Sequence, residues 1–105
     1  MPQRRSVLYL GSADIAALAI DPADARNAIR DAFLAYHHGK AVSLPKAAIE
    51  AGPGHVFQSM SAASIAIGLA GNKWLGFAPA PPGTTTSPID AVIALNDYAS
   101  GRLVA

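Results

Sequence analysis

Residues 65–79 read IAIGLAGNKWLGFAP, and Lys73 is the one charged side chain in this apolar run. Such a run, with scattered glycines, predicts a strand in the core of a sheet. A buried, unpaired ammonium is costly, so it must change its protonation or meet an anion. We therefore expect Lys73 to be buried and to contact a protein carboxylate or the anionic group of a ligand.

Three alternatives accompany this interpretation of the cationic residues. Lys73 could lie along Trp74 with its ammonium in water, or it could pair with Asp90, and in either case its role would be structural. Lys46 could form a second cation beside Lys73 and so complete an anion clamp. It could equally be an exposed lysine that protects the edge of a sheet.

Composition indicates one domain with enough apolar residues to form a core. The chain has 105 residues, of which 51% are hydrophobic and 14% charged, but alanine supplies much of the apolar count. Stability is therefore expected to be modest unless a partner surface adds burial. A net charge of +1 argues against nucleic-acid binding, and the lack of cysteine excludes disulfides and thiolate metal sites. No catalytic or metal-binding residue is predicted.

Local signals place two helices ahead of a run of strands. Asp21 and Pro22 predict the start of a long helix, which Gly39 ends. Ser12 is expected to cap a shorter helix before it. The predicted helices cover residues 13–20 and 22–38, and the predicted extended segments cover residues 7–10, 42–49, 55–61, 66–75, 89–95 and 102–105. This order predicts an α+β domain with the helices on one face of a mostly antiparallel or mixed sheet.

Two further expectations concern the cellular location of the protein and whether the chain is part of a longer one. No run reaches the roughly 20 apolar residues that span a bilayer, and we expect a cytoplasmic protein without membrane partners. The last three residues, Leu103, Val104 and Ala105, form an apolar segment with no polar tail. We expect the chain to be part of a longer protein, the alternative being an edge strand that ends at the terminus.

Taken together and in order, five motifs along the chain resemble the N-terminal portion of the ornithine cyclodeaminase and mu-crystallin family. They are LYLGSADI at 8–15, AFLAYHHGKA at 32–41, QSMSA at 58–62, GLAGNKW at 68–74 and ALNDYASGRLVA at 94–105. The resemblance implies that residues 1–105 are one domain, similar to the first half of a two-domain protein whose Rossmann half lies beyond it. NAD or NADP would be bound mainly by that other half.

The resemblance also implies roles for individual residues. Lys73 matches the family lysine that contacts the substrate, and Lys46 stands where the family has an arginine that binds the substrate carboxylate. The lysine is a departure, because it lacks the bidentate fork of arginine, and it argues against an ornithine-like ligand. Thr86 or Ser87 would take the place of a threonine near the cofactor, since Pro88 occupies that position.

The function implied by the resemblance is the substrate-binding and dimerisation portion of an NAD(P)-dependent enzyme, a lyase or oxidoreductase of amino acid metabolism. The substrate would be an amino, imino or keto acid, and the protein would be a homodimer. One alternative is a non-catalytic, mu-crystallin-like binding or dimerisation module. Another is a free-standing protein whose open strand edge pairs with a second copy.

Overall fold

The computed structural model describes residues 4–85 and 88–105, which form two helices followed by five strands. The helices are α1 (Ser12–Ala17) and α2 (Pro22–His37), and the strands are β1 (Ala41–Ser43), β2 (Ala47–Glu50), β3 (Val56–Ser64), β4 (Leu69–Phe77) and β5 (Ile89–Asp97). The strand pairings are antiparallel, and the expected α+β class is confirmed.

The long helix begins and ends where local chemistry predicts. The side chain of Asp21 accepts a hydrogen bond from the Ala23 N–H at 2.9 Å, with Pro22 at the first helical position. Gly39 follows the helix with φ of +71°, a conformation that side-chain-bearing residues rarely adopt.

The short helix differs from the prediction in its cap and in its length. Gly11, rather than Ser12, is the N-cap, and its N–H donates to the Asp14 carboxylate at 2.8 Å. The helix ends at Ala17, so the predicted extension to residue 20 is wrong.

Strand β4 lies inside the sheet, as residues 65–79 predict. It pairs with β3 on one side and β5 on the other, over nine residues in each case. Its start is later than expected, because residues 65–68 form the turn from β3. Gly68 has φ of +70° and belongs to that turn rather than to the strand.

The edge beside β3 is divided between β1 and β2 at Pro45. Ser43 pairs with Ala62 and Ala47 with Ser59, so three residues on the edge face two on β3. Proline has no N–H to donate, and an extra residue in one strand defines a bulge. Pro45 therefore lies at the sheet edge, within this bulge.

The chain after β5 turns back and meets the N-terminal segment. Val104 donates its N–H to the Leu95 carbonyl at 2.9 Å, and Leu8 donates to the Val104 carbonyl at 2.9 Å. The predicted extended run at residues 7–10 therefore contacts the return segment, although no strand is formed there.

The chain buries little of its apolar surface. Among the described residues Ala35, at 9% exposure, is the buried apolar residue, whereas Phe33 is 72% exposed. Ile29, Phe33 and Tyr36 of α2 are likewise exposed, although α2 lies against β1 and β3. The radius of gyration is 16.8 Å, against about 13 Å for a compact chain of this length. Apolar surface thus remains for another body to cover.

Candidate functional site

The strand register places Lys73 in the middle of the sheet. Lys73 pairs with Met60 on β3 and with Ile93 on β5. Directly paired residues of antiparallel strands project from the same side, and alternate residues along a strand share that side. We name this side, which carries Met60, Lys73, Leu75 and Ile93, the lysine face. Gln58, which pairs with Leu75, lies on the same face.

Lys46 approaches the same row of residues from the sheet edge. It immediately precedes β2, whose first residue, Ala47, pairs with Ser59. If the register of β2 is continued by one residue into the bulge, Lys46 falls opposite Met60, which pairs with Lys73 on its other side. The two lysine backbones are then two strand spacings apart, roughly 10 Å. The fold therefore brings together two cations that are 27 positions apart in the sequence.

Lys73 is exposed, so the prediction that its ammonium is buried is wrong for this chain. The reason is tertiary: β4 is interior within the sheet, but nothing among the described residues covers the lysine. No ion pair or hydrogen bond engages the Lys73 side chain within residues 4–85 and 88–105. Its ammonium is thus available to an external anion.

The register places Asp90 and Trp74 on the side of the sheet opposite Lys73. Asp90 pairs with Gly76 and projects from the opposite side of the sheet, where its carboxylate accepts the Ala91 N–H at 3.0 Å. Trp74 follows Lys73 directly in the strand, and consecutive side chains point to opposite faces. Neither residue therefore holds the ammonium, and the exposed side chain agrees with a solvated lysine, so a role for Lys73 as a ligand contact stays a prediction.

The opposite side of the sheet carries a polar network that the sequence analysis did not identify. The Ser59 and Ser61 hydroxyls both donate to Oδ1 of Asn72, at 2.8 Å and 3.1 Å, in a half-buried position. Phe57 and Trp74 stack on this side with ring centroids 6.3 Å apart. We name it the network face. The sequence shows that Ser59 and Ser61 alternate along a strand and so share a face, but their hydrogen bonds to Asn72 depend on the register between strands.

A shallow depression of about 370 Å³ lies at one end of the network face. Its lining is mostly apolar and includes Val42, Ala63 and Ala70, with Ser61 and Asn72 at its polar part. Because the serines and the asparagine already bond to one another, their first role is to satisfy buried polar groups. The depression therefore contributes to a packing surface.

Two glycines of β4 have structural explanations. A Cβ on Gly71 would lie 3.1 Å from Cδ2 of Leu95, and one on Gly76 would lie 3.1 Å from Cε1 of Phe57. At both positions a neighbouring side chain fills the space that a Cβ would need.

The predicted cofactor contacts, Thr86 and Ser87, lie outside the described residues. In the loop before them, the Thr84 hydroxyl donates to the Pro81 carbonyl at 2.8 Å and so serves the turn. The assignment of Thr86 and Ser87 as cofactor contacts stays a prediction.

Asp97 organises the turn after β5, as its position predicts. Its Oδ2 accepts the Ser100 hydroxyl at 2.6 Å and the Ser100 N–H at 2.9 Å. These bonds stabilise the charged form and hold the pKa of the carboxyl below its ordinary value of 3.8. Asp97 therefore has a structural role close to the site.

Comparison with known proteins gives a likeness to a solved structure. No protein-family model and no curated protein matches the chain. An archaeal alanine dehydrogenase dimer with bound NAD matches at 31% identity and a TM-score of 0.71, over 82% of this chain and 26% of that one. The chain has the fold of part of a dehydrogenase. It spans about a quarter of that protein's length, and the resemblance drawn from the motifs is supported at the level of fold.

The described helices give no sign of a membrane span. Neither α1 nor α2 is long and apolar enough to cross a bilayer.

Proposed function

We propose that this chain is the substrate-binding and dimerisation portion of an NAD(P)-dependent enzyme that resembles ornithine cyclodeaminase. Its substrate would be an amino, imino or keto acid. The observation that carries the proposal is the position of Lys46 and Lys73 on either side of Met60. The likeness to an archaeal alanine dehydrogenase with bound NAD supports the same substrate class.

The chemical role of the two lysines would be to bind the substrate carboxylate. Each ammonium donates up to three hydrogen bonds and adds a positive charge, and charge-assisted bonds are stronger than neutral ones. The surrounding side chains, Met60, Leu75 and Ile93, carry no charge that would compete for the carboxylate. Once another body covers this face, the lower dielectric would strengthen the attraction further.

The cofactor would be held mainly by residues outside this chain. Dinucleotides bind where a strand turns into a helix, at a glycine-rich loop. The described elements contain two helices followed by five strands, with no strand-to-helix turn. NAD(P) would supply hydride transfer, and this chain would bind and orient the acid beside it.

The exposed apolar surface supports dimerisation. The accessible area of 8671 Å² exceeds the roughly 5,500 Å² of a compact protein of this mass. The accessible area above that of a compact protein is comparable to the area that obligate dimer interfaces bury. We assign the network face to a second copy, because Ser59, Ser61 and Asn72 on it already bond to one another. The lysine face would remain for substrate and cofactor, and the dimeric state of the alanine dehydrogenase agrees with this division.

A second candidate is a non-catalytic, mu-crystallin-like binding or dimerisation module. Lys46 favours it, because lysine replaces the arginine that the family resemblance implies for the carboxylate. A full-length protein that binds keto acids but transfers no hydride to or from NAD(P) would identify this second function.

The experiment is a binding assay of Lys73→Met against Lys40→Met. Lys40 is an exposed lysine that precedes β1, so its variant is the matched control. Saturation-transfer NMR with pyruvate, L-alanine and L-alaninamide would report binding. We expect the two carboxylates to bind the parent and K40M but not K73M, while alaninamide binds none of them. Unchanged carboxylate binding in a folded K73M protein would overturn the assignment.

A further inference from the structure

A second cationic region lies beyond β5 at the edge of the sheet, where the two ends of the chain meet. The Leu8 N–H donates to the Val104 carbonyl at 2.9 Å, and Leu103 bridges Asn96 of β5. These bonds fix residues 4–8 alongside residues 102–104. Arginines almost a hundred positions apart are thereby brought to one groove.

We name this feature the arginine groove; its polar lining consists of Arg4, Arg5, Ser6 and Arg102. The remaining lining residues are apolar, and the cavity volume is about 790 Å³. Ligand-binding clefts commonly measure about 300–1,000 Å³ and combine apolar walls with a few polar groups. The groove is open, since its lining residues are all exposed, and its volume would admit a small ligand.

The charge of the groove is not balanced by the residues that the structure describes. Three of the chain's five arginines line it, although the whole chain carries a net charge of only +1. No carboxylate is among its lining residues, and none of the three guanidinium groups forms an ion pair within residues 4–85 and 88–105. Asp97, the carboxylate nearest Arg102 in sequence, is held by Ser100. Three like charges in one groove repel one another, and a multiply charged anion would relieve that repulsion.

We propose that the arginine groove binds phosphate groups of a small ligand. Guanidinium groups match the oxygens of phosphate in bidentate pairs, and three of them suit a diphosphate better than a single carboxylate. The Ser6 hydroxyl adds a further donor. The site is separate from Lys46 and Lys73, so the proposal stands independently of the proposed substrate.

The test is isothermal titration calorimetry with inorganic diphosphate at low ionic strength. The variants are Arg102→Gln and Arg5→Gln, and the matched control is Arg30→Gln, which removes the same charge from α2. We expect saturable binding with one diphosphate per chain. Each groove variant should weaken it about tenfold or more, because each loses charge-assisted bonds. R30Q should leave the affinity within twofold of the parent.

Two results would overturn the proposal: no saturable diphosphate binding, or an equal loss of affinity in R30Q and R102Q, which would indicate attraction to net charge alone. Titration with ADP separates two sources of the phosphate. Equal affinities for ADP and diphosphate would support recognition of phosphate alone, whereas tighter ADP binding would support a nucleoside diphosphate. Acetate at the same concentrations should not compete, and effective competition by acetate would also contradict the proposal.

Discussion

The two faces of the sheet treat their polar groups in opposite ways. On the network face, Ser59, Ser61 and Asn72 bond to one another and are half-buried. On the lysine face, Lys73 is exposed and has no partner among the described residues. A satisfied network is suited to burial against another protein surface, whereas an unpaired cation is suited to a ligand. The comparison teaches that a structural polar group is recognised by the hydrogen-bond partners it already has within the protein. A candidate functional group is recognised by its lack of such partners.

The largest expected effect compares Val92→Asp with Ile93→Asp. These neighbours on β5 point to opposite faces and are similarly exposed, at 55% and 59%. If a second copy covers the network face, V92D buries an unpaired charge and should dissociate the dimer, since such burial costs several kcal/mol. I93D should leave the dimer intact.

Light scattering coupled to size-exclusion chromatography would measure the mass of each variant. Equal dissociation by both variants would contradict the division between the faces. A parent protein that is monomeric at micromolar concentration would remove the dimer from the proposal.

The next effect concerns Lys46. The Lys46→Arg variant should bind a keto acid about tenfold more tightly, because arginine offers a bidentate fork where lysine offers a point charge. Titration of pyruvate would give the dissociation constants, with Lys46→Met as the variant that loses binding. Weaker binding by K46R than by K46M would show that Lys46 does not face the carboxylate.

A smaller effect is expected from Asn72→Ala on the network face. The substitution leaves the Ser59 and Ser61 hydroxyls without their acceptor and should lower the free energy of unfolding by about 1–2 kcal/mol. Urea unfolding followed by circular dichroism would measure it. Carboxylate binding should be unaffected, and a loss of binding with unchanged stability would reverse the roles given to the two faces.

The smallest effect is the pH dependence associated with Asp97. Because folding lowers the pKa of this carboxyl, its stabilisation is complete above the ordinary value of 3.8 and is lost as pH falls through the lower, folded value. Asp97→Asn should therefore lower the melting temperature slightly at neutral pH. The difference in melting temperature between variant and parent should disappear in strong acid. Thermal melts from neutral to acidic pH would measure this difference, and a constant value would show that the carboxyl has no such role.

Much of the local structure could be predicted from the sequence. Asp21, Pro22 and Gly39 determine the ends of α2, and Asp97 forms its turn, because the bonds involved join residues one to three positions apart. Pro45 likewise interrupts its strand, since proline has no N–H. The cap of α1 was missed because Gly11 uses the Asp14 carboxylate, and a glycine beside a serine gives a weaker signal than the serine itself.

The candidate site was predicted only in part. The sequence singled out Lys73 and Lys46, but it could not state that both flank Met60 or that Asp90 projects from the other face. Those facts follow from the register between strands, and a shift of one residue would reverse every side chain.

By itself, the sequence determined the helices and strands, the turns and the one charged residue of the central strand. The reason is that short-range hydrogen bonds and period-two alternation depend only on residues that are neighbours in the sequence. Only the tertiary structure decided that Lys73 is exposed and has no partner within residues 4–85 and 88–105, that Ser59 and Ser61 share Asn72, and that Arg102 joins Arg4 and Arg5. Each of these depends on pairing between distant segments, and the free energy of that pairing is distributed over whole strands rather than held by any single residue.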